Sequence, residues 1–399
     1  MFAKQTVQHL ECAGKRVLVR VDFNVPVADG SVTDDTRIVA ALPTIRYLLE
    51  KKARIILCSH LGRPKGGPDA KNSLKPVRER LARLLRMDVA WADDCVGESA
   101  ERAVHALADG QVLLLENLRF HAEEEQNEPG FAAALAKLGE CFVNDAFGTA
   151  HRAHASTEGV THFLKPAVAG LLMKQELDYL GGALDDPKRP FVAVLGGSKV
   201  SGKIDVIEAL LPKVDRLLIG GAMMFTFLRS QGIPTGKSLV EDDRLDVARE
   251  LLARAAALNV ELVLPVDTIA STAPDGSAPG VAKRVGQLTD AEMGVDIGPE
   301  SVALFASRLK DAKTVLWNGP MGIFEVAAFA AGTMGVAEAI SELKPRGAVT
   351  VVGGGDSVAA VQQSGLADRF SHLSTGGGAS LEFLEGKVLP GVAALEDLA

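Results

Sequence analysis

Short apolar runs rich in β-branched residues and leucine recur along this 399-residue chain, with segments of helical period between them. In the first half the runs are 16–23, 54–61, 111–117 and 141–147, with 88–92 weaker. In the second half they are 191–197, 216–221, 261–268, 314–320 and 348–355, followed less clearly by 371–378. Amphipathic helices are expected over 73–85, 201–211, 241–258 and 299–310. A strand that is apolar on both faces must be covered on both, as in parallel sheets flanked by helices. The pattern therefore predicts an α/β fold of two Rossmann-like domains, each a parallel sheet flanked by helices and joined by a helical connector. At roughly 150 residues per domain the length allows two to three. The break falls near 173–190, where 173–184 reads as a helix. Gly181-Gly182 and the run from Asp185 to Pro190 read as punctuation there.

Composition removes several classes of function. A net charge of −8 argues against nucleic acid as the main partner, which would need a basic face. No uncharged apolar stretch approaches the roughly 18 residues of a membrane span. The opening segment from Met1 to Leu10 lacks the charged-then-apolar pattern of a signal peptide. Cys12, Cys58, Cys95 and Cys141 have no metal-type spacing, and they read as buried thiols of a reducing cytoplasm.

In open α/β sheets ligands bind beyond the carboxyl ends of the strands, so the residues after each run are the place to look. Val17-Leu-Val-Arg-Val-Asp-Phe-Asn-Val-Pro26 sets Arg20, Asp22 and Asn24 at alternate positions, which in a strand share one face. Later strand ends in this half carry His60, Arg63, Arg119, His121, His151 and Arg152, and Arg37 opens the first long helix. Arginine suits bidentate recognition of phosphate and carboxylate, so several of them at equivalent strand ends indicate an anion pocket.

The second half carries glycines at the same positions. They are Gly196-Gly-Ser-Lys199, Gly220-Gly-Ala222, Asn318-Gly-Pro-Met-Gly322, Gly353-Gly-Gly-Asp-Ser357 and Thr375-Gly-Gly-Gly-Ala379. Glycine after a strand lets the backbone approach a ligand, and the following helix offers unpaired N–H groups to phosphate. Asp356 is placed to cap its helix or to hold Mg²⁺. Gly197 to Lys203 nearly satisfies the phosphate-loop pattern, but Ile204 stands where the Mg²⁺-binding hydroxyl belongs. Lys199 and Lys203 are spaced to share one face of a helix. No G-x-G-x-x-G follows a strand and opens a helix, which weighs against a nicotinamide-dependent dehydrogenase. A non-catalytic anion-binding protein is the other alternative.

Taken together the motifs resemble the phosphoglycerate kinase family. To those above are added Ser59-His-Leu-Gly-Arg-Pro64, Glu116-Asn-Leu-Arg-Phe-His121, Asn144 to Ser156, and Trp317 to Glu325, in an order that spans nearly the whole chain. The resemblance implies reversible transfer of the acyl phosphate of 1,3-bisphosphoglycerate to MgADP, giving 3-phosphoglycerate and MgATP, by a monomer. It implies substrate binding by Asp22, Asn24, Arg37, His60, Arg63, Arg119 and Arg152, with Arg20 and His151 in the same patch. It implies nucleotide binding by Gly197, Lys199, Lys203, Gly221, Asn318, Glu325, Gly353, Gly354, Gly355, Asp356 and Ser357. The phosphate loop would be Thr375, Gly376, Gly377 and Gly378, and the metal ligand Asp356. Ser357 stands where the family usually has Thr, and Ala222 where many members have Gly. The implied domains are 1–173 with 380–399 returning for phosphoglycerate, and 190–379 for nucleotide. The acceptor oxygens are anionic near neutral pH, so the chemistry requires cations rather than a protein base. Arg37, Lys203 and Lys199 are assigned to that task.

Overall fold

A computed structural model describes residues 4–64 and 67–398. Met1–Ala3, at the head of the segment read for a leader, and Ala399, the last residue of the returning segment, lie outside them. The chain forms two compact units, one running to Asp178 and resuming at Val388, the other spanning Tyr179–Lys387. The sequence boundary for the return, at 380, thus differs by eight residues: the helix Gly378–Leu384 packs on the helix Ile204–Leu210 of the second unit.

The first unit contains β1 (Arg16–Arg20), β2 (Val27–Ala28), β3 (Ser31–Val32), β4 (Arg54–Cys58), β5 (Val89–Ala92), β6 (Val112–Leu115), β7 (Cys141–Asn144) and β8 (Ala167–Ala169). Six of them make a parallel sheet in the order β5-β6-β4-β1-β7-β8, and β2 pairs with β3 as a small hairpin. Val17, Val19, Ile55, Leu57, Val112, Leu114 and Val143 share one buried cluster with Ile38, Leu42 and Ile45 of the helix Thr36–Glu50. The opposite residues Leu18, Ile56, Leu113 and Phe142 are buried as well, so the strands could not alternate polar with apolar. From β1 the chain leaves toward β4, and from the adjacent β7 it leaves toward β8. Diverging connections open a gap beyond Arg20 and Asn144, which are paired in register. Just past β7, the Asp145 carboxylate accepts hydrogen bonds from Leu172 N at 2.9 Å and Met173 N at 3.1 Å. These bonds fix the start of the connector helix Leu171–Asp185.

The second unit contains β9 (Phe191–Leu195), β10 (Arg216–Ile219), β11 (Glu261–Val263), β12 (Asp267–Ser271), β13 (Val281–Arg284), β14 (Met293–Ile297), β15 (Thr314–Asn318), β16 (Val349–Gly353) and β17 (His372–Leu373). Its parallel sheet runs β11-β10-β9-β15-β16-β17. The outgoing connections diverge again, this time between β9 and β15, where Leu195 pairs with Asn318. A three-stranded antiparallel sheet, β13-β12-β14, was not expected. The single run expected over 261–268 is in fact two strands of different sheets. Pro265 lacks the N–H a continuing strand would need. Asp267 instead caps the helix Pro299–Leu309, its carboxylate accepting from Glu300 N at 2.9 Å and Ser301 N at 2.7 Å.

The strands are shorter than the runs. β1 closes at Arg20, so Asp22 and Asn24 lie in the loop beyond rather than at alternate strand positions. Lys199 and Lys203 do not share a helix face either, because the helix starts at Ile204 and both lysines sit in the turn before it. No helix among the described residues is long and apolar enough to cross a membrane.

The β9/β15 gap depends on backbone packing. Gly319 has φ of +99°, and a Cβ there would lie 2.2 Å from the Gly196 carbonyl oxygen. A backbone atom cannot rotate away, so Gly319→Ala should cost roughly 2 kcal/mol or more in urea unfolding. Gly202→Ala, whose Cβ meets nothing within 4 Å, is the control expected to stay near wild type.

Candidate active site

Beyond β1 and β4 the loops interlock. Asp22 accepts from Arg37 Nη1 at 3.1 Å, and the same nitrogen donates to the Asn24 carbonyl at 3.2 Å. Asn24 Oδ1 accepts from Gly62 N at 2.9 Å. Arg119 donates to the Gly62 carbonyl at 2.9 Å and pairs with Glu125 at 3.0 Å. Asn117, just after β6, ties these loops together by donating to the carbonyls of Leu61 and Asn72. Arg37 is the half-buried cation, its side chain 35% exposed, whereas Arg63 and Arg152 are exposed. Among the described residues the Arg63 side chain makes no hydrogen bond or ion pair.

Arg20 has a different place from the one expected. It is buried, with Nε donating to Ser156 Oγ at 2.8 Å and Nη2 donating to His60 Nδ1 at 3.1 Å. It therefore supports the patch from behind rather than facing a ligand. Its counter-charge is Glu124, fully buried, which accepts from Ser156 Oγ at 2.6 Å and Ser156 N at 2.9 Å. Sequence reasoning missed Glu124, Ser156 and His154. Only the position of Ser156 and His154 inside a quoted motif pointed to them.

The cations repel one another. Burial, then Arg20, Arg119, Arg37 and His154, hold His60 well below the ordinary histidine range. Burial, then Arg20, Arg119, Arg152 and His151, bring His154 down to about 4. Arg37, His60, Arg119, His151 and Arg152 thus act on one shared region, and its excess positive charge favours an anion. His121 is engaged elsewhere, 2.7 Å from Asp94. Cys95 joins that pair within 4.8 Å, but the imidazole–carboxylate hydrogen bond already closes the group.

In the second unit two adjoining cavities lie at the β9/β15 gap. One, of about 450 Å³, is lined by Phe225, Leu239, Met293 and Ile323, with Gly197, Gly221 and Glu325 on its wall. The other, of about 370 Å³, is lined by Gly197, Lys199, Lys203, Asn318, Gly354, Gly355, Asp356, Ser357, Gly377 and Gly378. An apolar chamber opening into a glycine- and lysine-lined one matches a base and ribose followed by phosphates. Lys203 donates to Asn318 Oδ1, while Asn318 Nδ2 is buried without a hydrogen-bond partner among the described residues. Burial pulls Lys203 down to about 8, against the opposing effects of Asp356 and Glu385. Lys199 is exposed, and Asp356 is an exposed carboxylate on the wall of both cavities. The Ser357 hydroxyl is not free for a phosphate: it is fully buried and accepts from Gly319 N at 2.6 Å. Thr375 and Gly376 do not line either cavity; Gly376 N donates to Ser374 Oγ at 3.1 Å.

The fold and these two centres define a phosphotransferase of the α/β class. The chain belongs to the phosphoglycerate kinase family, kinases in which a carboxyl oxygen gives up or accepts the phosphoryl group: the phosphoglycerate kinase family model matches residues 7–387. It is similar to a phosphoglycerate kinase of Chlorobium luteolum, 58% identical over 393 residues that cover 98% of this chain and 99% of that one. One from a Synechococcus species is 59% identical over 405 residues, covering 100% of each. The solved phosphoglycerate kinase of Coxiella burnetii superposes with a TM-score of 0.89 at 43% identity, covering 98% of each chain.

A His154 held near 4 while free histidine titrates near 6.5 has a signed consequence. Between those values the unfolded chain binds the extra proton, so stability falls as pH drops from 6.5 toward 4. His154→Gln should flatten the slope of unfolding free energy against pH across that window. A slope unchanged from wild type would count against the buried neutral imidazole.

Proposed function

We propose that this enzyme moves the acyl phosphate of 1,3-bisphosphoglycerate to MgADP, yielding 3-phosphoglycerate and MgATP, and runs the reverse reaction. One observation carries the reading: the cation cluster and the glycine-lined cavities occupy the equivalent sheet gap in two separate units. The unit ending at Asp178 takes the phosphoglycerate and Tyr179–Lys387 the nucleotide. Arg37, His60, Arg63, Arg119, His151 and Arg152 meet the anionic substrate, with Asp22 and Asn24 orienting Arg37 and the Gly62 turn. Gly197, Gly221, Gly353, Gly354 and Gly355 let the nucleotide approach the backbone, and Glu325 is placed for the ribose. Gly377 and Gly378 border the phosphates, and Thr375 and Gly376 lead the chain into that turn.

The transferred group spreads charge over its equatorial oxygens, and cations aimed at those oxygens supply most of the stabilisation. Arg37 provides it from one side and Lys203 from the other, with Lys199 on a terminal nucleotide phosphate. The nucleophile is already an anion, and among the described residues no nucleophile–base pair faces either centre, so the transfer runs in line as the reading has it and needs no general base. The two ligands must be brought together by closure of the units. Asp356 fits Mg²⁺, since one carboxylate completed by phosphate oxygens and water is an ordinary shell for that ion. The metal would neutralise charge between the phosphates. Four free, buried cysteines support a reducing compartment such as the cytoplasm, and a monomer suffices for the scheme.

Arg37→Ala should lower kcat roughly 10³-fold while KM for ATP changes only a few-fold. Near-normal turnover in a coupled assay would remove Arg37 from the transfer step. Small-angle scattering with both ligands should show a more compact particle than with either alone, and an unchanged envelope would contradict closure.

Nucleotide binding should also take up a proton. Lys203 near 8 in the free protein is largely neutral at pH 9, and polyphosphate beside it restores the charged form. Calorimetric ADP binding at pH 9 should therefore vary with the ionisation enthalpy of the buffer, and the dependence should vanish in Lys203→Met. Buffer-independent heats in the wild type would refute it.

A further inference from the structure

Burial pushes the Glu124 carboxyl up while Arg20 and the two Ser156 donors oppose it, and with Glu124 ionised the buried relay behind the substrate centre has one consistent pattern of hydrogens. Ser156 has a single hydroxyl proton. It goes to Glu124 Oε1 at 2.6 Å, which leaves the oxygen lone pairs to receive Arg20 Nε at 2.8 Å. A guanidinium has donors only, so the contact between Arg20 Nη2 and His60 Nδ1 at 3.1 Å requires Nδ1 to be the bare, accepting nitrogen. The ring proton must then sit on Nε2, and among the described residues Nε2 has no hydrogen-bond partner in the protein. His60 is 4% exposed and its Nε2–H is the polar group it has left to offer.

We infer that Glu124 and Ser156 are positioning residues of the phosphoglycerate site: they anchor Arg20, which fixes His60 as a neutral imidazole carrying its proton on Nε2 and ready to donate it to the substrate. The inference rests on the proposed substrate reading of this centre. Neither Glu124 nor Ser156 can touch a ligand, being 0% and 1% exposed. Among the described residues the Glu124 carboxylate is hydrogen-bonded only to Ser156, whose backbone N–H also donates to its Oε2 at 2.9 Å. The neighbouring cations reinforce the neutral state, since a protonated His60 would face Arg20, Arg37 and Arg119 with no acid among its strongest neighbours. A neutral donor held in one tautomer recognises a carboxylate or hydroxyl oxygen without changing charge as the substrate comes and goes. An imidazole free to exchange tautomers would spend part of its time presenting a lone pair to an anion.

Ser156→Ala removes the anchor of Arg20 Nε while leaving Glu124 in place. Glu124→Gln removes the buried counter-charge and sets an amide against the Ser156 N–H. The test is the nitrogen chemical shifts of histidine-labelled full-length enzyme without ligand at pH 7.5, with His60 assigned by loss of its signals in His60→Gln. Wild type should show His60 entirely protonated on Nε2, and both variants a mixture of tautomers. In the same variants KM for 3-phosphoglycerate should rise about tenfold or more, with KM for MgATP unchanged. A wild-type His60 protonated on Nδ1, or variants that keep the wild-type tautomer, would overturn the relay. If Glu124→Gln does not fold, Ser156→Ala decides alone. A correct tautomer in an enzyme that turns over no 3-phosphoglycerate would leave the relay standing and refute the substrate reading instead.

Discussion

The parallel pairing of β1 with β7 and of β9 with β15 is the constraint from which the rest of each unit follows. In both pairs the outgoing connections part in opposite directions, which opens a gap between the loops that follow the strand ends. What may border that space is then set by how closely backbones approach. In the second unit Gly196, Gly221 and Gly319 touch through main-chain atoms, and a Cβ at any of the three would come within 3 Å of another backbone. Side chains there would force those backbones apart and reshape the turns that border the cavity. In the first unit the loops beyond the strand ends are bordered by long cationic side chains, Arg37 and Arg119 among them.

Crowding cations around an open gap is unfavourable, and the first unit offsets it with neighbouring acids. Glu124 lies behind Arg20, Asp22 beside Arg37 and Glu125 beside Arg119. These acids do not cancel the field in the gap. Burial first, and then the arginines around them, hold His60 and His154 below the ordinary histidine range, so a positive field persists there beside the acids.

Much of this was legible because strand ends are local. His60, Arg119, Asn318 and the glycines at 196–197 and 353–355 lie at or just past the ends of apolar runs, where the rule that ligands lie beyond strand ends looks without tertiary information. Arg37 and Lys203 stand at the start of the helix that follows such a run. The relay was not legible, since Arg20, Glu124 and Ser156 come from segments far apart in sequence. Glu124 in particular reads as one of three exposed acids in Glu123-Glu124-Glu125. The antiparallel sheet escaped for a different reason. β13 is Val281-Ala-Lys-Arg284, largely exposed, and β14 is Met293-Gly-Val-Asp-Ile297, whose Gly and Asp look like a turn. Gly294 is required there because a Cβ would lie 2.0 Å from the Phe225 ring. Short strands with one open face leave too few apolar residues for any period to show.

The two cations assigned to the transfer differ in how they keep their charge, and the difference follows from burial. Arg37 is 35% exposed and paired with Asp22, and a guanidinium stays protonated under almost any surroundings. Lys203 is drawn into the glycine-lined cavity, with Asn318 as its hydrogen-bond partner and Asp356 and Glu385 as its acidic neighbours. An ammonium can give up its proton where an arginine cannot, so the Lys203 charge depends on what fills the cavity. Without an anion in the cavity the lysine is mostly protonated at pH 7 and loses its charge as the pH rises through about 8. Polyphosphate beside it would hold the charged form to higher pH. A lysine there, rather than a second arginine, makes the charge at this position depend on pH and on what fills the cavity.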